Sequence, residues 1–166
     1  IAIARELNKG FISNGRNATV TVFDVKTLKA TGKAATGENP DDITYDPVSS
    51  RVFVFNGRSK SATVIDAKTD NVVATIPLPG KPEFAVSDGK GKVYNNIEDT
   101  NEIVEIDEKR TAGEGREGLV GRIPVGDGAQ RKHLPVRLPS SRQKIDTRPG
   151  SLTDITHAMG SGERSR

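Results

Sequence analysis

The sequence predicts an all-β fold made of repeated four-stranded antiparallel sheets, and three features of the chain predict it. Residues 1–15 and 43–57 are equally long, and both end in an apolar run closed by Asn-Gly. Asp24, Asp66 and Asp107 follow further apolar runs at steps of 42 and 41 residues. No segment shows the apolar period of a helix. A repeat of this length without helices indicates an architecture of stacked β-sheets.

Two further anchors agree with this period. Asn14, Asn56 and Asn96 close the second run of the three copies at steps of 42 and 40 residues, and Pro40 and Pro82 lie 42 residues apart. We expect the three asparagines to serve the turns that follow them, because Asn tolerates a positive φ.

The second copy shows best how one repeat is built. Four short apolar runs alternate with turn-forming residues, among them Asp46-Pro47, Asn56-Gly57 and the polar segment 66–71. The run 52–55 is continuously apolar, which predicts a strand buried on both faces. Four short antiparallel strands in about 42 residues form a twisted sheet, the blade of a β-propeller. The predicted strands are residues 43–45, 52–55, 62–65 and 72–78.

The other two copies repeat this plan with one departure. The weakly apolar run 29–35 is typical of an outer edge strand. Between Asp107 and Ile123 the third copy is longer than the second copy over the matching interval, so we expect a loop or a damaged hairpin there. The regular period favours a propeller over another all-β repeat or a β-sandwich. The predicted blades are residues 1–42, 43–84 and 85–126, with strands near 1–4, 10–13, 18–23 and 29–35 in the first and near 84–87, 92–95 and 102–106 in the third.

The segment 127–166 differs from the repeats in composition. It has eight Lys or Arg, four Asp or Glu and no aromatic residue, hence a net charge of +4. Such a segment buries too little surface to offset the entropy of ordering, so we predict a basic, disordered tail. The whole chain carries +3, which leaves residues 1–126 at −1. The net positive charge of the chain therefore comes from the tail. It does not indicate that the repeats bind nucleic acid.

Composition also narrows the possible chemistry. The chain has no cysteine, and no apolar run approaches the roughly 18–20 residues that span a bilayer. The only histidines, His133 and His157, lie in the predicted tail, where no fixed partner can organise them. The string Gly-x-Gly-x-x-Gly at residues 113–118 lies between strands, so it lacks the strand-to-helix context of a dinucleotide site. We therefore predict no catalytic residue, no metal ligand and no cofactor.

The turns after the second strands hold the candidate binding residues. Two successive copies place an arginine two residues after the closing asparagine, and the second adds a lysine; the set is Asn14, Arg16, Asn56, Arg58 and Lys60. Repeated on one face, these cations predict a positive rim for phosphate, carboxylate or single-stranded DNA. The third copy interrupts the pattern with acidic residues, and no aromatic residue for base stacking is present in these turns.

The repeat resembles the forty-residue YVTN β-propeller repeat of YncE-like bacterial proteins. The matching residues are Pro40, Asp46-Pro47, Arg51-Val52-Phe53, Asn56, Ala62-Thr63-Val64-Ile65-Asp66, Lys68-Thr69 and Val72-Val73-Ala74-Thr75-Ile76-Pro77. The resemblance covers residues 1 to about 125. It implies a ring that usually has seven blades and an exported protein, hence a periplasmic or secreted location. It is specific for the fold and unspecific for chemistry.

Three blades cannot close a ring, because propellers usually have four to eight. Either the chain is a fragment of a longer protein or several chains complete the ring. An open stack leaves strand edges exposed, so we expect self-association through those edges.

Two functions fit this resemblance. The first is non-enzymatic binding of an unknown macromolecular or anionic ligand, a protein, glycan or DNA, through the loop face. The alternative is a metal-dependent hydrolase of lactone type, in which a divalent ion held by channel carboxylates polarises the substrate carbonyl. The carboxylates available in the repeats are Glu38, Asp41, Asp42, Glu83, Glu98, Asp99 and Glu102.

Overall fold

A computed structural model describes residues 1–107 and 119–124, and nearly all of its regular structure is β-strand. Apart from one short 3-10 turn at Arg5–Leu7, all its elements are strands. The strands are β1 (Ala2–Ala4), β2 (Lys9–Asn14), β3 (Thr19–Asp24), β4 (Ala30–Ala35), β5 (Pro40–Asp46), β6 (Arg51–Asn56), β7 (Ser61–Asp66), β8 (Val72–Pro77), β9 (Pro82–Ser87), β10 (Lys92–Ile97), β11 (Glu102–Asp107) and β12 (Leu119–Pro124).

The strands form three four-stranded antiparallel sheets. The first sheet has the order β1-β2-β3-β4, the second β5-β6-β7-β8 and the third β9-β10-β11-β12. Within each sheet, strands that are consecutive in the sequence pair with each other, as in the blades of a propeller. This confirms the predicted all-β fold of propeller blades.

The blade boundaries can be compared with the strand ends. The second and third sheets begin at Pro40 and Pro82, three residues before the blade starts assigned from the sequence. Strand β12 pairs with β11, so the third sheet has its fourth strand. The loop expected after Asp107, the glycine-rich string at 113–118 and the tail from residue 127 lie outside the described residues, and the division at residue 126 stays a prediction.

Two hydrophobic clusters lie between neighbouring sheets. One joins the first sheet to the second, with Phe11 and Val22 against Val52, Val54 and Ile65. The other joins the second sheet to the third; its members are Phe53, Phe55, Ala62, Val64, Ile76, Leu78, Ala85, Val93, Ile97, Val104 and Ile106. Each sheet therefore packs on the next one along the chain.

Burial of the strands follows from this stacking. Side chains alternate between the two faces of a strand, so a strand with both faces covered is apolar throughout. Strand β6 belongs to the middle sheet, and Val52, Phe53, Val54 and Phe55 are all at most 1% exposed. The outermost strand β8 is largely exposed, as its position at the sheet edge requires.

A register shift recurs at one position in all three sheets. It lies between Val22 and Phe23 in the first sheet, and at the corresponding places, Val64/Ile65 and Glu105/Ile106, in the other two. Such bulges increase the local right-handed twist. The recurrence shows that the three sheets share one backbone plan as well as one sequence pattern.

Membrane insertion through a helix is not indicated by the described part of the chain. None of the helical structure within residues 1–107 and 119–124 has the length and apolarity needed to cross a bilayer.

Candidate functional site

The turns that hold the predicted binding residues lie at one end of the sheets, which we call the loop face. It consists of the turns 15–18, 57–60 and 98–101 together with the linkers 36–39 and 78–81 between sheets. The turn and the linker are bonded to each other: the Gly57 N–H donates to Asn39 O at 2.9 Å and the Glu98 N–H to Lys81 O at 2.9 Å. Antiparallel strands make this arrangement inevitable, because β2 and β4 run in the same direction and end at the same edge.

Asn14 and Asn56 end their strands with the side chain turned into the sheet. Asn56 Nδ2 donates to Ser61 Oγ at 3.1 Å and to Thr63 Oγ1 at 2.9 Å, and Asn56 is fully buried. Asn14 Nδ2 donates to Thr21 Oγ1 at the same distance of 2.9 Å, but the residue is only half-buried. Both amide nitrogens therefore have partners inside the sheets, whereas the buried Asn56 Oδ1 has none among the described residues. The role of the two side chains in ligand binding stays a prediction.

The expectation that the asparagines adopt positive φ is wrong. Within residues 1–107, positive φ in these turns occurs at Ala18, Lys60 and Asn101, with values of 49°, 48° and 51°. These residues occupy the last position of each turn, where the chain returns into the next strand. Asn14 and Asn56 instead tie the end of one strand to the next strand, whereas Asn96 Oδ1 accepts a hydrogen bond from the Phe84 N–H of β9.

The sequence also indicated the wrong anchor in the third copy. Lys9, Arg51 and Lys92 begin equivalent strands, and the register then places Ile97 where the other sheets have asparagine. Val104 likewise stands at the position of Thr21 and Thr63. The third sheet has thus replaced a hydrogen-bonded Asn–Thr pair with an apolar Ile–Val pair, and both of these side chains are buried.

Arg16 and Arg58 do lie at equivalent positions of neighbouring turns. Both residues are exposed on the loop face. Arg58 Nη1 lies 3.9 Å from Glu38 Oε2, and the arginine side chain is 77% exposed. This contact is at the outer limit of an ion pair, so the guanidinium remains open to a further partner.

Lys60 is engaged within the loop face. Its Nζ lies 2.8 Å from Asp99 Oδ2, and the Lys81 N–H donates to Asp99 Oδ1 at 2.7 Å. The Lys60 ammonium, followed by the Lys81 amide, lowers the pKa of Asp99. Asp99 comes so near the linker that a Cβ on Gly80 would lie 1.9 Å from its Oδ1, which explains the glycine.

Lys81 forms a second charged cluster that sequence reasoning missed. Its Nζ lies 2.6 Å from Glu83 Oε1 and 2.5 Å from Glu98 Oε2. The hydrogen bonds to Glu83 and then Glu98 raise the pKa of Lys81, and the bond from Lys81 lowers the pKa of Glu98. One feature of the sequence could have indicated this cluster. Asp99 stands at the turn position that Arg16 and Arg58 have in the other two copies, and an acidic residue there fits a turn whose charges pair with nearby lysines.

The carboxylates considered for a metal have other partners in the structure, as Glu83 and Glu98 have in Lys81. Asp42 is half-buried and accepts a hydrogen bond from the Ala85 N–H at 2.7 Å, which ties β5 to β9. Burial raises the pKa of Asp42. Asp41 is exposed on the same strand, and Glu83 points to Lys81. Within the described ranges no group of three Asp, Glu, His or Cys side chains is arranged to hold a metal ion.

Sequence comparison assigns no family: no family model matches the chain, and no curated protein matches it either. Comparison of structures gives clear similarities. The chain is similar to hydrazine synthase from Kuenenia stuttgartiensis, with a TM-score of 0.65 and 26% identity over 76% of this chain and 35% of that one.

Two further solved structures share the fold at lower identity. Dihydro-heme d1 dehydrogenase NirN, solved in complex with DHE, has a TM-score of 0.61 and 19% identity over 74% of this chain and 25% of that one. The β-propeller domain of a protein from Myceliophteria thermophila has a TM-score of 0.58 and 10% identity over 79% and 38%. The chain thus spans between a quarter and two fifths of the structures it resembles. These likenesses and the three stacked sheets show that the chain has the β-propeller fold.

Proposed function

We propose that the protein is a non-enzymatic binding scaffold whose loop face engages an acidic macromolecule. The observation that supports the proposal is the exposure of Arg16 and Arg58 at equivalent positions of successive turns. A guanidinium forms bidentate, charge-assisted hydrogen bonds with carboxylate and phosphate. Loops on a rigid scaffold are the usual place for binding residues, and the buried strands beneath these turns supply that rigidity.

The acidic side chains of the loop face differ in how firmly they are held. Asp99 and Glu98 are bonded to lysines at 2.5–2.8 Å, whereas Glu38 only approaches Arg58 at 3.9 Å. An exposed ion pair contributes only about 0–1 kcal/mol, so an anionic ligand can replace Glu38 at little cost. Arg16 and Arg58, rather than Lys60, are therefore the cations that we assign to the ligand.

The salt dependence of binding tests this assignment. The probe is a labelled single-stranded oligonucleotide, with the dissociation constant measured by fluorescence anisotropy over a range of salt concentrations. The double substitution Arg16→Ala with Arg58→Ala should weaken binding and reduce the slope of log K against log salt by about 0.7 for each phosphate that the variant no longer neutralises. Lys90→Ala, in a turn at the opposite end of the sheets, is the matched control and should leave the slope unchanged.

Two results would contradict the proposal. One is an unchanged slope in the double variant. The other is an equal loss of affinity in the Lys90→Ala control, which would indicate a diffuse effect of net charge and not a site on the loop face.

We further propose that the chain belongs to a YncE-like protein with YVTN repeats that works in the periplasm or outside the cell. The support is the repeat from Pro40 to Pro77, whose turn residues and apolar runs resemble that family. Detection of the full-length protein in cell fractions tests the location. Its recovery from the cytoplasmic fraction alone would contradict the proposal.

A further inference from the structure

A carboxylate of the third turn lies between two donors that belong to the second sheet and to the linker after it. Asp99 Oδ1 accepts a hydrogen bond from the Lys81 N–H at 2.7 Å, and Asp99 Oδ2 accepts one from Lys60 Nζ at 2.8 Å. Each oxygen of the carboxylate therefore has a donor of its own. We call the place formed by Lys60 Nζ, the Lys81 N–H and the α-carbon of Gly80 the carboxylate seat.

Gly80 makes room for the carboxylate in this seat. A Cβ at this position would overlap Asp99 Oδ1 and would lie 2.6 Å from Cγ2 of Ile97, so neither side chain could keep its place. The Asp99 oxygen thus rests directly against the backbone, with an apolar side chain beside it. A planar carboxylate fits this narrow space better than a phosphate, whose oxygens form a tetrahedron.

The equivalent place between the first and second sheets has no such seat. Each member of the set has a counterpart of another kind there: Ala18 for Lys60, Glu38 for Gly80 and Arg58 for Asp99. The bond between turn and linker is nevertheless made at 2.9 Å in both places, by the N–H of Gly57 and by that of Glu98. The seat is therefore not required for the turn to meet the linker.

The ammonium of the seat stays open to solvent. Lys60 lies between two described linkers, 36–39 and 78–81, and its side chain is still 53% exposed. An exposed ion pair contributes only about 0–1 kcal/mol, so a carboxylate from outside can compete with Asp99 for the same donors. The seat is thus a binding site that the chain itself fills.

We propose that Asp99 is an internal ligand of the carboxylate seat and that it keeps Lys60 from the carboxylates of an acidic polypeptide on the loop face. The identity of this partner rests on the proposed function, whereas the seat itself does not. Asp99 stands where the other two turns have an arginine. The third turn therefore lacks a cation of its own and also occupies that of its neighbour, which confines the partner to Arg16 and Arg58.

Titration of the Asp99→Ala variant with sodium acetate tests the seat without a macromolecular partner. Acetate supplies the carboxylate that the variant lacks, so the Lys81 amide resonance in NMR spectra of the labelled protein should shift and saturate. Sodium chloride keeps the ionic strength constant. Adding Lys60→Ala should weaken acetate binding at least about tenfold, because a charge-assisted hydrogen bond is lost. In the unmodified protein the seat is filled, and the resonance should stay in place.

Two comparisons make the titration specific. Glu38→Ala is the matched control, because it removes one negative charge from the same face, where Glu38 only approaches Arg58 at 3.9 Å. Acetate should leave the Lys81 resonance of this variant unchanged. Inorganic phosphate, at a pH where it carries a single negative charge, should bind Asp99→Ala more weakly than acetate does. A titration of Asp99→Ala without a saturable shift would overturn the seat, and tighter binding of phosphate would overturn its assignment to carboxylates.

Alanine is suitable at position 60, because its counterpart Ala18 has nearly the same φ, 49° against 48°. The NMR spectra also show whether each variant folds, and Asp99→Gly replaces Asp99→Ala if that variant does not.

A labelled oligoglutamate peptide tests the role of Asp99 against a partner. Its dissociation constant, measured by fluorescence anisotropy, should fall at least about threefold in Asp99→Ala. Adding Lys60→Ala should abolish this gain. Adding Lys90→Ala, which restores the net charge equally but lies at the opposite end of the sheets, should preserve it.

The results separate this proposal from the proposed function. Equal affinity of the unmodified protein and Asp99→Ala for the peptide would overturn the role of Asp99 as an internal ligand. If acetate fills the seat but the peptide binds neither protein, the proposed function fails and with it the role of Asp99 against that partner, whereas the seat is established.

Discussion

The buried positions of Asn56 and Thr63 are occupied by different kinds of side chain in the second and third sheets. In the second sheet an amide donates to two hydroxyls in a fully buried place, and in the third sheet Ile97 and Val104 fill the same place without polar atoms. A buried polar group is costly only when it loses its partner, whereas replacing both partners with apolar groups can be nearly neutral. The same backbone therefore accepts both arrangements, although the polar one leaves the buried Asn56 Oδ1 without a hydrogen-bond partner among the described residues.

This comparison predicts a measurable coupling. Asn56→Ile alone should lower the free energy of unfolding by about 1–3 kcal/mol, because Thr63 loses the hydrogen bond from Asn56 and keeps only the longer one from the Gly37 N–H at 3.3 Å. Adding Thr63→Val should cost less than the sum of the two single changes, by about 0.5–3 kcal/mol. Urea unfolding measures all four proteins of the cycle.

The equivalent pair in the first sheet is the control. Asn14 and Thr21 are joined over the same 2.9 Å, but Asn14 is only half-buried. Water can replace a broken hydrogen bond there, so the coupling should be smaller. Equal coupling at the two pairs would contradict burial as the cause.

Tyr45 predicts a loss of stability in alkali. Burial, and then the hydrogen bond that its hydroxyl donates to Glu6, raise the pKa of Tyr45 to about 12. The unfolded chain loses this proton near pH 10. The folded state holds the proton longer, so its advantage is complete below pH 10 and is lost as the pH rises towards 12.

Absorbance at 295 nm follows both tyrosines of the chain. The pKa of Tyr94 is also raised, chiefly by its hydrogen bond to Glu105. We therefore expect little phenolate at pH 10 in the folded protein and substantially more in urea at the same pH. Glu6→Gln should lower the pKa of Tyr45 only in part, because burial remains. Half-ionised tyrosines at pH 10 in the folded protein would contradict this account.

At the scale of the strand, a glycine in β2 makes room for the side chain of Phe23 in the first sheet. A Cβ on Gly10 would lie 2.1 Å from Cζ of Phe23, so the ring of Phe23 rests directly on the backbone of β2. Phe23 is 8% exposed although it lies on an outer face, because this glycine lets it sit flat against the strand. In the second sheet Val52 and Ile65 fill the same pair of positions.

Gly10→Ala should therefore destabilise the protein by about 1–3 kcal/mol through overpacking. Gly32→Ala is the matched control, since it lies in β4 of the same sheet and its Cβ would meet no atom closer than 3.6 Å. Thermal unfolding of the two variants gives the comparison. Equal shifts would show that strand glycines act here through backbone entropy alone.

The strands were predictable from the sequence because apolar runs bounded by turn residues can be identified without knowing how the sheets pack. The run 52–55 predicted a strand buried on both faces, and β6 is that strand. The third asparagine anchor failed because β10 contains two adjacent asparagines, and spacing alone could not show that Ile97 holds the equivalent place. The hydrogen bond that Lys60 donates to Asp99 joins neighbouring sheets, so it depends on how the sheets stack and not on any local pattern.

For the whole molecule, the period predicted the fold because one repeat cannot bury its own faces. Each sheet must pack on a neighbour, and repeats stacked in order give a continuous core. The candidate site was predictable only as a repeated position. Arg16 and Arg58 share that position, but their different surroundings arise from Glu38 and the linker, which only the folded chain brings near.

The stacking of the three sheets also determines how cooperatively the molecule can unfold. The first and third sheets share no hydrophobic cluster within the described residues, so any influence of one on the stability of the other passes through the second sheet. In a linear array of this kind, total stability is a sum of the stabilities of single units and of their nearest-neighbour contacts. A substitution that destabilises the second sheet therefore weakens two interfaces between sheets. Unfolding of the first or the third sheet alone breaks only one of the interfaces described here.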